Sequence, residues 1–346
     1  MELDKTSVTY AHAKLKIDEY WIRGITGKNV KIGIVDDGIG THDAVPVVGG
    51  YACGAHTTYR QENTHATHCA GIAAGRNLKN GEPTGIAPDA DIYSIRMYYR
   101  TFDDRVYSLI EAIDYAIQEG IDILSMSIHI VENSYHYSPD DAGNGNFGIP
   151  KHLRISMREA FYKAYKHGII ICVAAGNHND GSGKDNIEFE EYLPKMPGVV
   201  TVANLTMNDK RYYSSGVGRW VDVAGYGYMI KSTTPGNNYG HLTGTSMSTP
   251  QIAGVFALYK QLFPDLSPHE IIEKLFENCK PVNGLMKEQQ GRGVPQPPPE
   301  LYELPVLLEA KNIFRIKDYA VWKAVEGAYY RDSNGQWKEM EAMGYE

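Results

Sequence analysis

Short β-branched apolar runs alternate with longer amphipathic stretches, and this alternation restricts the chain more than any other feature. Residues 30–35, 92–95, 121–127 and 168–173 read as buried strands. Between them, residues 106–119 and 155–167 space their apolar side chains three and four apart and stop at Gly120 and Gly168, as helices do. Strand following helix following strand implies a mostly parallel α/β sheet flanked by helices. In such sheets reactive groups collect beyond the carboxyl ends of the strands, which is where Asp36 and Asn177 fall.

Two stretches interrupt the pattern. Residues 132–151 are polar and turn-rich and read as a long loop inserted between a strand and a helix. Pro295-Gln-Pro-Pro-Pro299 reads as a stiff spacer, after which aromatic and charged residues show little periodicity. The expected organisation is therefore one large domain over 1–300 and an extension over 301–346.

Composition removes several function classes. With 346 residues, 42% of them hydrophobic, the chain can bury one large core. A formal charge of −8 without clustered Lys or Arg argues against nucleic acid as a partner. No run approaches the roughly 18 apolar residues of a membrane span, and residues 1–25 are too charged for a signal peptide. Four cysteines, Cys53, Cys69, Cys172 and Cys279, form no CxxC pair, which fits reduced thiols in a cytoplasmic protein better than a zinc site or a disulfide framework.

Four islands carry chemistry. Gly244-Thr-Ser246-Met-Ser-Thr-Pro250 places a serine among small residues at a loop-to-helix junction, which presents a hydroxyl nucleophile. Asn63-Thr-His65-Ala-Thr-His68-Cys-Ala-Gly begins polar and continues small and apolar, so His65 lies in the first turn of a helix entering the core and is the candidate base. Val35-Asp36-Asp37-Gly38 ends a strand with two carboxylates, one of which suffices to orient an imidazole and stabilise its cation. Val173-Ala-Ala-Gly-Asn177 leaves another strand with an amide that can donate to an oxyanion beside the Ser246 N–H. Nucleophile, base, orienting carboxylate and oxyanion donor are what amide hydrolysis requires.

These islands, in this order, resemble those of the subtilisin-type serine proteases: Asp-Thr/Ser-Gly, His-Gly-Thr-His-x-Ala-Gly, Ala-Ala-Gly-Asn and Gly-Thr-Ser-Met-Ala-x-Pro. Gly85-Ile-Ala-Pro88 and the run from Ile230 to Gly236 match as well, so the resemblance covers residues 10–300. It implies a three-layer subtilisin-like fold, a triad of Asp36, His65 and Ser246, and Asn177 as oxyanion donor. It also implies that Ser127, Ile128 and His129 pair with an extended protein or peptide substrate. Departures are Asp37 for Thr or Ser, Ala66 and His129 for Gly, Ser248 for Ala and Gln251 for His. The bulk of His129 beside the inserted loop predicts restricted specificity. Ala66 is expected to crowd the substrate or the helix turn, and Cys69 is expected close to the triad, giving mercury sensitivity.

Glu191 aligns with the floor of the pocket for the residue before the scissile bond and predicts a preference for Lys or Arg, reinforced by Glu188 and Glu190. No cofactor is required for the chemistry. A structural calcium is left open: Val45 and the partly basic residues 76–80 depart from the family's tight site, while Asp140, Asp141, Asn144 and Asn146 offer oxygen donors. Relatives carry a long pro-region. Here a mature-like start follows Met1, so either the chain is a processed form, secreted, or it is a cytoplasmic enzyme restrained by another partner, an inhibitor or its own 301–346 tail. The alternatives to a hydrolytic endopeptidase are a processing or transpeptidating enzyme and a non-catalytic binding protein on the same fold.

Overall fold

The computed structural model describes residues 8–76, 82–130, 150–177, 187, 192–308, 328–331 and 337–339. Seven strands form the central sheet: β1 (Lys31–Asp36), β2 (Val47–Ala52), β3 (Asp91–Arg96), β4 (Ile123–Met126), β5 (Ile170–Ala174), β6 (Val199–Leu205) and β7 (Val223–Tyr226). Their order is β2-β3-β1-β4-β5-β6-β7 and every pairing is parallel. β1, β4 and β5 are apolar along almost their whole length because both faces of the sheet are covered.

Eight helices accompany the strands among the described residues: α1 (Tyr10–Leu15), α2 (Ile17–Trp21), α3 (Thr64–Ala74), α4 (Phe102–Glu119), α5 (Lys151–Lys166), α6 (Thr245–Leu262), α7 (Pro268–Glu277) and α8 (Lys287–Gln290). α4 and α5 bury Leu109, Ile113, Met157 and Phe161 against one face of the sheet. α3, α6 and α7 bury Ala70, Ile252, Phe256 and Ile271 on the other, together with Leu15, Ile17 and Tyr20 of α1 and α2. The result is the expected three-layer arrangement. α4 starts at a capping box between Thr101 and Asp104 and ends at Gly120 in the left-handed conformation, φ 62°.

α6 is buried from Thr245 to Tyr259 with few breaks, so it shows no polar stripe and carries no amphipathic signal. α1, α2, β2 and β7 went unread in the sequence because they are short, or interrupted by Gly and polar residues; β6 went unread as well, although it opens on a β-branched run. An antiparallel hairpin of β8 (Ile230–Thr234) and β9 (Asn238–Leu242) lies along α3. There the Ser232 and Thr233 hydroxyls donate to the His68 and Thr67 carbonyls.

The segment read as a spacer is packed into the domain. Val294 and Pro295 (β11) pair with Cys279 and Lys280 (β10), the Tyr259 hydroxyl donates to the Gln296 carbonyl, and Leu301 is fully buried. Prolines are tolerated there because they sit in a two-residue strand and at the start of a 3₁₀ turn, where few backbone donors are needed. Beyond it, β12 (Val306–Leu308) pairs with β13 (Ala328–Arg331), which pairs with β14 (Trp337–Glu339), and the Leu307 amide donates to the Ile22 carbonyl. Most of the inserted loop and most of the 301–346 tail lie outside the described residues.

Candidate functional site

β1 has β3 on one side and β4 on the other, so strands β1 to β3 fill one half of the sheet and β4 to β7 run outward through the other, with the change of side at the β1–β4 boundary. That boundary is the switch point at which side chains can approach the strand ends from both halves of the sheet. Asp36 ends β1, Ser127 follows β4 and Asn177 follows β5, all on the same edge.

Asp36 is buried. Its Oδ1 accepts from the Asp37 amide at 2.8 Å and its Oδ2 faces His65 Nδ1 at 2.8 Å. The turn after it needs Gly38, whose φ is +95° and whose missing Cβ would lie 2.9 Å from Gln61 Cβ. His65 stands in the first turn of α3, which Asn63 caps by accepting from the Ala66 amide at 2.9 Å. The Asn63 Nδ2 also donates to Asp37 Oδ2 at 3.3 Å, and Thr67 Oγ1 accepts from the Gly40 amide at 2.8 Å. The histidine helix is thus tied directly to the aspartate turn.

Burial disfavours the His65 cation, but the Asp36 charge and hydrogen bond, joined by the Asp37 charge, outweigh it and raise the imidazole above its ordinary range. Asp37 is raised too, by burial first and then by the adjacent Asp36. The second histidine of the island differs. His68 is buried and its Nε2 donates to the Ile230 and Gly240 carbonyls at 2.9 and 3.1 Å, with a pKa lowered to about 4 by burial. It is a neutral strut between α3 and the β8–β9 hairpin, which leaves His65 as the candidate base.

Ser246 is the second residue of α6, so its N–H is among those that a helix start leaves without an intrahelical partner. Its hydroxyl donates to the Ser127 carbonyl at 3.4 Å. Pro250, four residues on, has no N–H to offer the Ser246 carbonyl. That carbonyl instead accepts from Ser127 Oγ at 2.8 Å and from the Cys69 thiol at 3.4 Å. In the sequence Ser127 was assigned a main-chain role only; its hydroxyl also anchors the backbone of the candidate nucleophile.

Asn177 is oriented from behind. Its Oδ1 accepts from the Thr245 amide at 3.0 Å and from Thr245 Oγ1 at 3.2 Å, which fixes the amide so that Nδ2 is the free donor end. Thr245 was missed in the sequence as an orienting residue, although it adjoins the serine. One cleft of about 350 Å³ is lined by Asp36, Asp37, His65, Asn177 and Ser246, and further along by Ser127, Ile128, His129, Tyr99 and Arg105.

Ala66 does not line that cleft. It is fully buried in the core, because the helix turn points its methyl inward, so the expected crowding of substrate is not found. Gln251 brackets Tyr226, accepting from its amide at 3.0 Å and donating to its carbonyl, while Ser248 Oγ donates to Asn204 Oδ1 at 3.3 Å. Both substitutions serve packing beneath the site. The Asp36, His65 and Cys69 ligand atoms all lie within 4.8 Å of one another, and the thiol is buried with its pKa raised by burial. Glu188, Glu190 and Glu191, like Asp140, Asp141, Asn144 and Asn146, lie outside the described residues. Val45 is buried among apolar neighbours and offers no side-chain oxygen.

Comparison with known proteins follows the same lines. A profile of the subtilase family matches residues 27–293. Subtilisin DY from Bacillus licheniformis is 31% identical over 271 residues, 78% of this chain and 90% of that protein. The minor extracellular protease Epr of Bacillus subtilis (strain 168) is 30% identical over 277 residues, but the chain spans only 39% of its length. The crystal structure of MycP1 from Mycobacterium smegmatis matches with a TM-score of 0.70 at 22% identity, covering 92% of this chain and 91% of that one; at this identity the likeness is one of fold.

Proposed function

We propose that this chain, which belongs to the subtilase family of serine peptidases, is an endopeptidase that cleaves through an acyl-enzyme on Ser246. The observation that carries the reading is the 2.8 Å contact of His65 with buried Asp36, in one cleft with Ser246 and Asn177. In the proposed reaction His65 Nε2 takes the Ser246 proton as Oγ attacks the scissile carbonyl, while Asp36 holds the Nδ1–H and stabilises the imidazolium. The oxyanion forms against Asn177 Nδ2 and the Ser246 N–H at the positive end of α6. His65 then returns its proton to the leaving amine, and water releases the acyl group by the same steps.

Restricted specificity is part of the proposal, because exposed His129 stands on the cleft wall where the resembling enzymes have glycine. So is a preference for Lys or Arg before the scissile bond, read from Glu191. We further place the enzyme in the cytoplasm, in keeping with its four free thiols. Among the described residues no helix is long and apolar enough to cross a membrane.

The test is a peptide library digested by wild type and by Ser246→Ala, with products read by mass spectrometry and a fluorophosphonate probe run in parallel. Cleavage and labelling by wild type alone are expected, with cuts after Lys or Arg that Glu191→Gln disperses. Equal cutting by Ser246→Ala, or a wild type that neither cuts nor labels, rejects the serine mechanism. Cuts unrelated to basic residues reject Glu191 as the selector.

A further inference from the structure

Arg105 is a cation on the cleft wall that the hydrolytic mechanism does not use. It stands in the first turn of α4 and lies over the Tyr99 ring with its guanidinium carbon 5.3 Å from the ring centroid. Both residues line the same cleft as His65 and Ser246. Stacking on an aromatic face holds a guanidinium in a fixed plane without consuming its in-plane donors.

Among the described residues those donors are unspent. Arg105 Nε is buried and has no hydrogen-bond partner, and among the described residues no carboxylate pairs with the guanidinium. Its acidic neighbour Asp104 is committed to the capping box, where its carboxylate accepts from the Thr101 amide at 2.9 Å. Asp37, an acid on the wall of the same cleft, has Asp36, His65, Arg96 and His56 as its charged neighbours and donor Asn63 on its Oδ2. A buried donor with nothing to bond is costly, and a guanidinium on the wall of a substrate cleft is matched by a carboxylate that arrives with the substrate.

We propose that Arg105 is a specificity-determining residue that receives the carboxylate of an Asp or Glu side chain of the substrate, upstream of the scissile bond. The inference rests on the endopeptidase reading above. A peptide paired along Ser127, Ile128 and His129 occupies the cleft that Tyr99 and Arg105 wall, so its side chains reach them without rearrangement of the sheet. The selector lies in a segment rich in Tyr, Arg and Asp that runs into the first turn of α4, Tyr98-Tyr99-Arg100-Thr101-Phe102-Asp103-Asp104-Arg105. Nothing in that sequence distinguishes Arg105 from Arg100, which is exposed and does not line the cleft.

The experiment measures kcat/KM for paired peptides that differ only by Glu, Gln or Lys, placed in turn at each position preceding the cut. Wild type, Arg105→Gln and Arg105→Glu are compared, and the Gln peptide is the reference within each enzyme. A charge-assisted fork on a partly buried carboxylate predicts a Glu-over-Gln ratio of about 10- to 100-fold at one position in wild type. The ratio should fall to within about threefold of unity in Arg105→Gln, turn to favour Lys in Arg105→Glu, and shrink for wild type as salt is raised.

Fluorophosphonate labelling counts the competent sites of each variant. Should a variant fail to label, the wild-type ratio and its salt dependence decide. A wild type that labels and cuts the Gln peptides with no acid preference at any position, or a preference that survives Arg105→Gln, overturns this inference alone. A wild type that neither labels nor cuts overturns the endopeptidase reading and this inference with it.

Discussion

The Ser246 carbonyl offers a quantitative test of how the nucleophile is held. In an uninterrupted helix the amide of residue 250 would serve that carbonyl, but residue 250 is proline, and Ser127 Oγ at 2.8 Å and the Cys69 thiol at 3.4 Å take its place. Ser127→Ala deletes the stronger donor and leaves a buried carbonyl with only a weak thiol. An orphaned buried acceptor costs about 1–3 kcal/mol, and the residual thiol contact places the expected loss in the lower half, about 1–2 kcal/mol.

Pro250→Ala restores the missing N–H. A proline inside a helix costs about 3 kcal/mol relative to alanine, offset here by about 1–2 kcal/mol of lost packing from two buried ring methylenes, so this change should stabilise by about 1 kcal/mol. With the amide restored, Ser127→Ala should cost only about 0.5 kcal/mol, and the cycle should show a coupling of about 0.5–1.5 kcal/mol. The assay is urea unfolding of all four proteins in a Ser246→Ala background, which prevents self-digestion while keeping the carbonyl under test. Equal costs of Ser127→Ala with and without Pro250 would refute the claim that Ser127 substitutes for the helix donor.

Other consequences follow from the same geometry. The base must be neutral to accept a proton, so kcat/KM should rise with pH through the raised pKa of His65; Asp37→Asn removes one charge that favours the imidazolium and should move this limb to lower pH, and an unmoved or upward limb contradicts the assignment. Asn177→Ala should lower kcat about 100- to 1000-fold with little change in KM, and unchanged turnover would remove Asn177 from the oxyanion site. Mercuric ion should inactivate wild type by binding the Cys69 thiol beside Asp36 and His65, whereas Cys69→Ala should keep its activity at the same dose; equal inhibition of both would place the sensitive group elsewhere.

The central layer of the fold was legible because burial on both faces makes β1, β4 and β5 largely apolar, while α4 and α5, exposed on one side, keep a helical period and stop at a glycine. The elements that escaped notice are those whose environment erases such a pattern. α6 was announced only by the loop-to-helix junction at Ser246, because it is surrounded by protein, its apolar residues occupy all faces, and Pro250 inside it would ordinarily argue against a helix. Similarly, 295–299 has the composition of an exposed spacer, yet it lies against Tyr259 and Lys14 through the carbonyl and amide of Gln296. Composition reports what a segment can tolerate; which surface covers it is a property of the whole chain.

The site divides along the same line. Asp36, His65, Asn177 and Ser246 announce themselves because each stands where polar chemistry interrupts an apolar element. Thr245 and the Ser127 hydroxyl act through partners 68 and 119 positions away in the chain, and Arg105 stacks on nearby Tyr99 to line a cleft whose other residues are distant in sequence, so no local pattern encodes these roles. Pro250 joins the two groups. It is visible in the serine island as a fixed offset from the nucleophile, but its effect is the bond it withholds, since withholding it turns the Ser246 carbonyl outward to Ser127 and Cys69. The Ser246 backbone is therefore fastened just past the end of β4 and at the middle of α3, next to the proposed substrate-pairing residues and on the helix that carries the proposed base. A helix with a complete hydrogen-bond ladder would be more regular and would lack that fastening, so the proline trades local helix stability for registration of Ser246 against His65 and the cleft wall.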